Sequence, residues 1–131
     1  MDILFTLEGK KQVKAHMGNH TVLTDQPVMA GGDDAAPAPF SIFLASLGTC
    51  AGFYVKAFCD SRGIAADGIK IIQKHKFNPM SHMIEDIVID IQVPDSFPEK
   101  YKDAIIKAAD QCAVKKHLQN PPSIKTIATQ L

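Results

Sequence analysis

The chain carries no charge excess of either sign: 14 basic and 14 acidic residues cancel over 131 positions, with five histidines counted neutral. No basic block interrupts that balance, so the electrostatic footprint of a nucleic-acid binder is missing. No two cysteines stand at C-x-x-C spacing, and no two of His16, His20, His75, His82 and His117 share a helix face. A metal centre is therefore not expected. The opening segment, MDILFTLEGKKQ, lacks a basic n-region and a small-residue cleavage site, which points to a cytoplasmic protein and away from a secreted one. Three cysteines in that setting argue against a disulfide scaffold and leave structural or redox roles. Arginine occurs once, at Arg62.

Charge is also absent from one continuous stretch, Ala35 to Val55. Its length raises the question of a membrane span. Pro37 and Pro39 break it, however, and the residues after them read as a buried helix and not as a bilayer-spanning one.

Around that stretch the pattern is regular. DILFTLE, QVKAHM and HTVLTD alternate and are separated by turn residues at Gly9-Lys10 and Gly18-Asn19, which predicts an antiparallel meander of three strands. Residues 26–39 hold Gly31-Gly32, two acids and three prolines, the chemistry of a loop. A central helix is expected from Phe40 to about Arg62, closed by Gly63. GIKIIQKHKF and MIEDIVIDIQV have period-two alternation, with Ile87, Ile89, Ile91 and Val93 on one face, and form a hairpin. Ser96 and Glu99 have capping-box spacing, so a second helix should start near Phe97. Its inward stripe is Tyr101, Ile105, Ala108 and Cys112. Asn120-Pro121-Pro122 ends it, and SIKTIATQL reads as a closing strand. The expected order is βββ-α-ββ-α-β, a single α+β domain over residues 1–131.

The candidate chemistry lies in the cysteines. Cys59 follows Cys50 by nine residues on one helix, on the opposite face and about 13.5 Å along the axis, so those two cannot be bridged. Cys112 can meet Cys50 only by tertiary packing. A reactive Cys50 needs a group to hold its thiolate, because the thiolate and not the thiol is the nucleophile. It sits about ten residues into its helix, beyond the reach of that helix's own N-terminus. Arg62 is about 18 Å farther along the same helix. Lys115 and Lys116, at i+3 and i+4 from Cys112, are candidate partners, as are Lys14, His16 and His20 in the first hairpin.

The segment PFSIFLASLGTC, from Pro39 to Cys50, followed by a helix ending in CAVKKHL, resembles the OsmC/Ohr family, as does the GGDDAAPAP loop before the helix. The resemblance covers nearly the whole chain. It implies an intertwined α+β homodimer with antiparallel sheets wrapped around long central helices and active sites at the subunit interface. It also implies thiol peroxidase chemistry on organic hydroperoxides, with Cys50 as the peroxidatic residue and Cys112 as the one that resolves its sulfenic acid. An external dithiol would reset the pair, and no cofactor is required because the oxidant is the substrate. The family's activating arginine and glutamate have no counterpart. The two places after Pro39 hold Phe40 and Ser41, and the first 61 residues contain no arginine. Ala113 stands where the family usually has proline or serine.

Three functions remain as alternatives. One is a Cys50–Cys112 hydroperoxide reductase. Another is a non-catalytic module that holds a hydrophobic small molecule or a partner thiol near Cys50, Phe40, Phe43 and Phe53. In the third, both cysteines only pack the core.

Overall fold

The structure is a computed structural model describing all 131 residues, and the chain divides into two compact units, Met1–Ala45 and Ser46–Leu131. In the first, β1 (Leu4–Leu7), β2 (Val13–Met17) and β3 (His20–Thr24) form the expected antiparallel meander in the order β1-β2-β3. Leu4 pairs with His16, and Met17 with His20 across a two-residue turn. Gly18 holds φ 55° in that turn, a conformation that side-chain-bearing residues rarely adopt. The loop after β3 is organised around Asp25, which is fully buried and accepts the amides of Gln26, Asp33 and Ala35 at 2.8, 3.2 and 3.0 Å. A side chain at Gly32 would collide with the Gln26 carbonyl and the Asp25 carboxylate, so the loop closes only over glycine. It delivers the chain to α1 (Pro39–Ser61), and the boundary between the two units falls inside that helix.

In the second unit, the remainder of α1 joins β4 (Lys70–Asn78), β5 (Met83–Gln92), α2 (Lys102–Ala109) and α3 (Ala113–Gln119). Strands β4 and β5 are the expected hairpin, with a bulge between Lys76 and Phe77. Ala51, Val55, Phe58 and Cys59 from α1 pack with Phe97, Ile105 and Ala109 to form the core, and Ile71, Ile89, Ile91 and Val93 of the hairpin segment lie against it. Gly63, at φ 63°, ends α1. The amide of Ile64 bonds back to the Cys59 carbonyl at 2.9 Å and that of Gly63 to Asp60 at 3.4 Å, which is a Schellman stop.

Four expectations are corrected. First, α1 is not buried all round: its buried positions, Leu47, Ala51, Val55, Phe58 and Cys59, form one stripe, and Phe53 is 64% exposed. An uncharged face is not by itself a covered face, and one chain covers a single side. Nor do the prolines shorten the helix below a bilayer's thickness, because Pro39 occupies its first position and leaves 23 residues, long and apolar enough to cross by length and composition. Its buried stripe is what marks it as a core helix. Second, no capping box forms: neither Pro98, ahead of a 3-10 turn at Glu99–Tyr101, nor Tyr101, ahead of α2, makes a side-chain cap bond, and Glu99 pairs with Lys102 at 2.7 Å instead. Third, the second helix is broken. Cys112, at φ −45° and ψ 119°, leaves the helical region between α2 and α3, and its sulfur caps α3. Cysteine is not among the usual N-cap residues, so the break had no conventional sequence signal. Fourth, residues 121–131 form no strand, because no strand of the chain pairs with them. The order is therefore βββ-α-ββ-αα.

Candidate active site

The corner between α2 and α3 brings the two cysteines together. Cys112 is 1% exposed and Cys50 is half-buried, and each lies close enough to shift the other's ionisation. The Cys112 thiol also faces the main-chain oxygen of Leu47 at 3.8 Å, and its sulfur receives the Lys115 amide at 3.4 Å. Leu47 precedes Cys50 by three residues, so both groups lie on one side of α1. On the other side of the contact, the Ala113 and Val114 amides at the start of α3 favour the Cys50 thiolate. The amides of a helix's first turn have no partner within the helix, which leaves them to stabilise a nearby negative charge.

Opposing forces act on each thiol. Burial works to raise the Cys50 pKa, but the hydrogen bonds from Val114, Cys112 and Ala113 together bring it below the ordinary thiol value. Cys112 is pushed up, first by burial and further by the neighbouring Cys50 sulfur, against the opposing Lys115 and Val114 amides. Within the pair, Cys50 is thus the first to ionise, and Cys112 keeps its proton to higher pH. Cys59 is raised by burial and by the Asp60 carboxylate, and it sits wholly within the core at 0% exposure. It belongs to packing.

The cations expected from the sequence have other side-chain partners or lie exposed. Lys115 Nζ is paired with Asp110 at 2.6 Å, and the contribution of Lys115 to the pair is its backbone amide, given to Cys112. Arg62 lies over the Phe58 ring at 3.8 Å. In the N-terminal unit, Lys14 pairs with Glu8 at 3.1 Å and His16 bonds to Thr6 at 3.0 Å. His20 and Lys116 are exposed. Phe40 stacks on Phe43 at 5.5 Å. The donors that reasoning from sequence missed are main-chain amides, positioned by the break at Cys112. No three His, Cys, Asp or Glu side chains converge as metal ligands would.

Two adjoining grooves open here, the first of them beside Cys112. One, of about 250 Å³, is walled by Cys112, Ala51, Ile91 and Ile106; the other, of about 390 Å³, by Leu47, Ile87 and Leu118. Val88, Ile89, Asp110 and Lys115 line both. The result is a largely apolar approach to a thiol, with one ion pair on its wall.

Comparison with known proteins gives a consistent answer. The model of the OsmC-like protein family matches residues 31–127. No curated protein gives a significant match. A solved structure from Psychrobacter arcticus 273-4, provisionally described as an osmotic stress induced and detoxification response protein, is similar with a TM-score of 0.72 at 21% identity over 87% of this chain and 85% of that one. An OsmC-like protein from Mycoplasma pneumoniae gives a TM-score of 0.67 at 17% identity, covering 92% and 87%. An organic hydroperoxide resistance protein OsmC from Legionella pneumophila gives 0.54 at 13% identity, covering 91% and 90%. At these identities the structures speak for the fold: antiparallel sheets with a long central helix.

Proposed function

We propose, from the premise that the chain belongs to the OsmC-like protein family, that it is a cysteine-based reductase of organic hydroperoxides in the cytoplasm. Cys50 is the peroxidatic thiolate and Cys112 the resolving thiol. The observation that carries this reading is the packing of the Cys112 sulfur against the turn of α1 that carries Cys50, with Cys50 drawn below and Cys112 held above the ordinary thiol range. The thiolate attacks the peroxide, an alcohol leaves, and the resulting sulfenic acid condenses with Cys112 to a disulfide. An external dithiol then restores both thiols. Apolar groove walls suit the organic part of the substrate. The Legionella relative's description as an organic hydroperoxide resistance protein supports the same substrate class.

The family match runs through the boundary between the two compact units, which supports treating both as parts of one OsmC-like domain. A homodimer belongs to the same reading. Its support is the uncovered Phe53 on α1 and the unpaired residues 121–131, where Ile124 and Ile127 are exposed. Sedimentation should give twice the 14.2 kDa chain mass, and a monomer would contradict the dimer.

Free-thiol titration before and after one equivalent of cumene hydroperoxide tests the reductase reading. Two thiols should be lost in the native protein and none in Cys50→Ser. Equal losses in both proteins would sink the assignment. The apolar grooves favour one second reading, in which the site holds a hydrophobic molecule or a partner thiol without turnover. Native mass spectrometry showing a retained adduct, together with no peroxide consumption, would replace the first reading with this one.

A further inference from the structure

We infer that Cys112 is also the proton donor for the leaving alkoxide, so that cleavage of the peroxide and activation of the resolving thiolate are one event. The inference rests on the proposed peroxidase reading and adds a second role to its resolving residue. Three groups next to the Cys50 sulfur favour its thiolate, the amides of Ala113 and Val114 and the thiol of Cys112, whose sulfur is fixed 3.8 Å from the Leu47 oxygen on the preceding turn of α1. Backbone amides stabilise charge but do not release their protons. Of the three, only the thiol can. An alkoxide is a far stronger base than a thiolate, so a thiol beside the breaking O–O bond transfers its proton downhill.

The Cys112 proton has two places to point. One is the Leu47 oxygen at 3.8 Å, long for a hydrogen bond, and the other is the Cys50 sulfur. A weakly held proton between two acceptors is free to turn to a third, the oxygen that leaves Cys50's attack. Once it has gone, the Cys112 sulfur is not left without partners, because the Lys115 amide already points at it from 3.4 Å. The charged groups around the pair are Asp110 and Lys115, which hold each other at 2.6 Å, and Asp90 of β5, which is bound by Lys74 at 3.0 Å. Each already has a partner.

The step balances. The Cys50 thiolate attacks the terminal oxygen of the hydroperoxide; the S–O bond forms as the O–O bond breaks, and the departing alkoxide takes the Cys112 proton to become the alcohol. Cys50 is now a sulfenic acid and Cys112 a thiolate. Attack of that thiolate on the Cys50 sulfur forms the S–S bond and expels hydroxide. The two thiols have together given up two electrons and become a disulfide, and the peroxide has been reduced to alcohol and hydroxide.

The test is the rate at which reduced Cys50 is consumed in a single turnover, followed by rapid alkylation and peptide mass spectrometry across a pH series. Native protein is compared with Cys112→Ala and Cys112→Ser, the second of which keeps an oxygen cap for α3 but is a far weaker acid than the thiol. With cumene hydroperoxide, the native rate should rise as Cys50 ionises and fall again as Cys112 loses its proton. Both variants should plateau at least about tenfold lower, with no falling limb. With an aromatic peracid, whose carboxylate leaving group needs no proton, native and variant plateaus should coincide. Lost hydrogen bonding alone would move the rising limb and leave the plateau in place. Equal plateaus with cumene hydroperoxide, or an equal deficit with the peracid, would overturn the inference. Failure of the native protein to react with either oxidant would instead overturn the peroxidase reading itself.

Discussion

The Cys112 sulfur lies 3.8 Å from the main-chain oxygen of Leu47, three residues ahead of Cys50 on α1. That contact fixes the second thiol against the turn of helix that carries the first. It exists because α2 and α3 are two short helices with a corner between them, and the corner aims both a thiol and two helix-start amides at Cys50.

Thiol reactivity should follow this arrangement. Iodoacetamide at neutral pH is expected to modify Cys50 first and Cys59 last, because alkylation tracks the thiolate fraction and access together. Peptide mass spectrometry at several pH values reads the order directly. Cys50 reactivity should climb at lower pH than an ordinary thiol's, while Cys112 and Cys59 should need higher pH.

The Ala113 amide offers a sharper probe. Ala113 is the first residue of α3, where proline is tolerated, and the preceding Cys112 already has the extended ψ of 119° that a following proline demands. Ala113→Pro should therefore fold with an unchanged melting temperature while deleting one donor to Cys50. Alkylation of Cys50 should slow near pH 7 and match the native rate at high pH, where the thiolate is fully formed in both proteins.

Core energetics distinguish neighbouring isoleucines. Ile105 is 2% exposed within the core and Ile106 is 52% exposed. Ile105→Ala should cost about 2–5 kcal/mol in urea unfolding. Ile106→Ala should cost well under half as much, since most of its side chain already meets solvent.

The loop before α1 should be acid-sensitive. The Ala35 and Gln26 amides, with those of Asp33 and the Gln12 side chain, outweigh burial and hold Asp25 below the usual carboxylate range. A carboxyl whose folded pKa is depressed contributes stability that is complete above its unfolded pKa and is lost as pH falls through the folded one. Thermal melts between pH 7 and pH 3 should show this loss. Asp25→Asn should melt lower at pH 7 and depend less on pH below the ordinary carboxylate range.

Much of the fold was legible because it is written in local patterns. The meander, the β4–β5 hairpin and the stop at Gly63 come from alternation and turn chemistry. The helix α1 was legible from its apolar run and its stop, but which of its uncharged faces is covered was not, since Phe53 looks as apolar in sequence as Phe58. The break at Cys112 was hidden for a related reason. Ile105 and Cys112 are seven residues apart and both buried, as one continuous helix would have them. Only the backbone angles at Cys112 reveal the corner. The candidate site was legible to the same depth: Cys50 and Cys112 could be named as a pair that packing can bring together, but the amides beside Cys50 could not, because every residue except proline has an amide and sequence does not say where amides point. Residues 121–131 alternate like a strand, yet pairing requires a neighbour, and the chain supplies none.

Disulfide mapping after a single addition of cumene hydroperoxide tests the central claim most directly. Fully reduced protein, treated with one equivalent, alkylated and digested, should yield one new linked peptide joining Cys50 to Cys112, with Cys59 recovered as the alkylated thiol. Recovery of all three cysteines as alkylated thiols, or a linkage that includes Cys59, would contradict it.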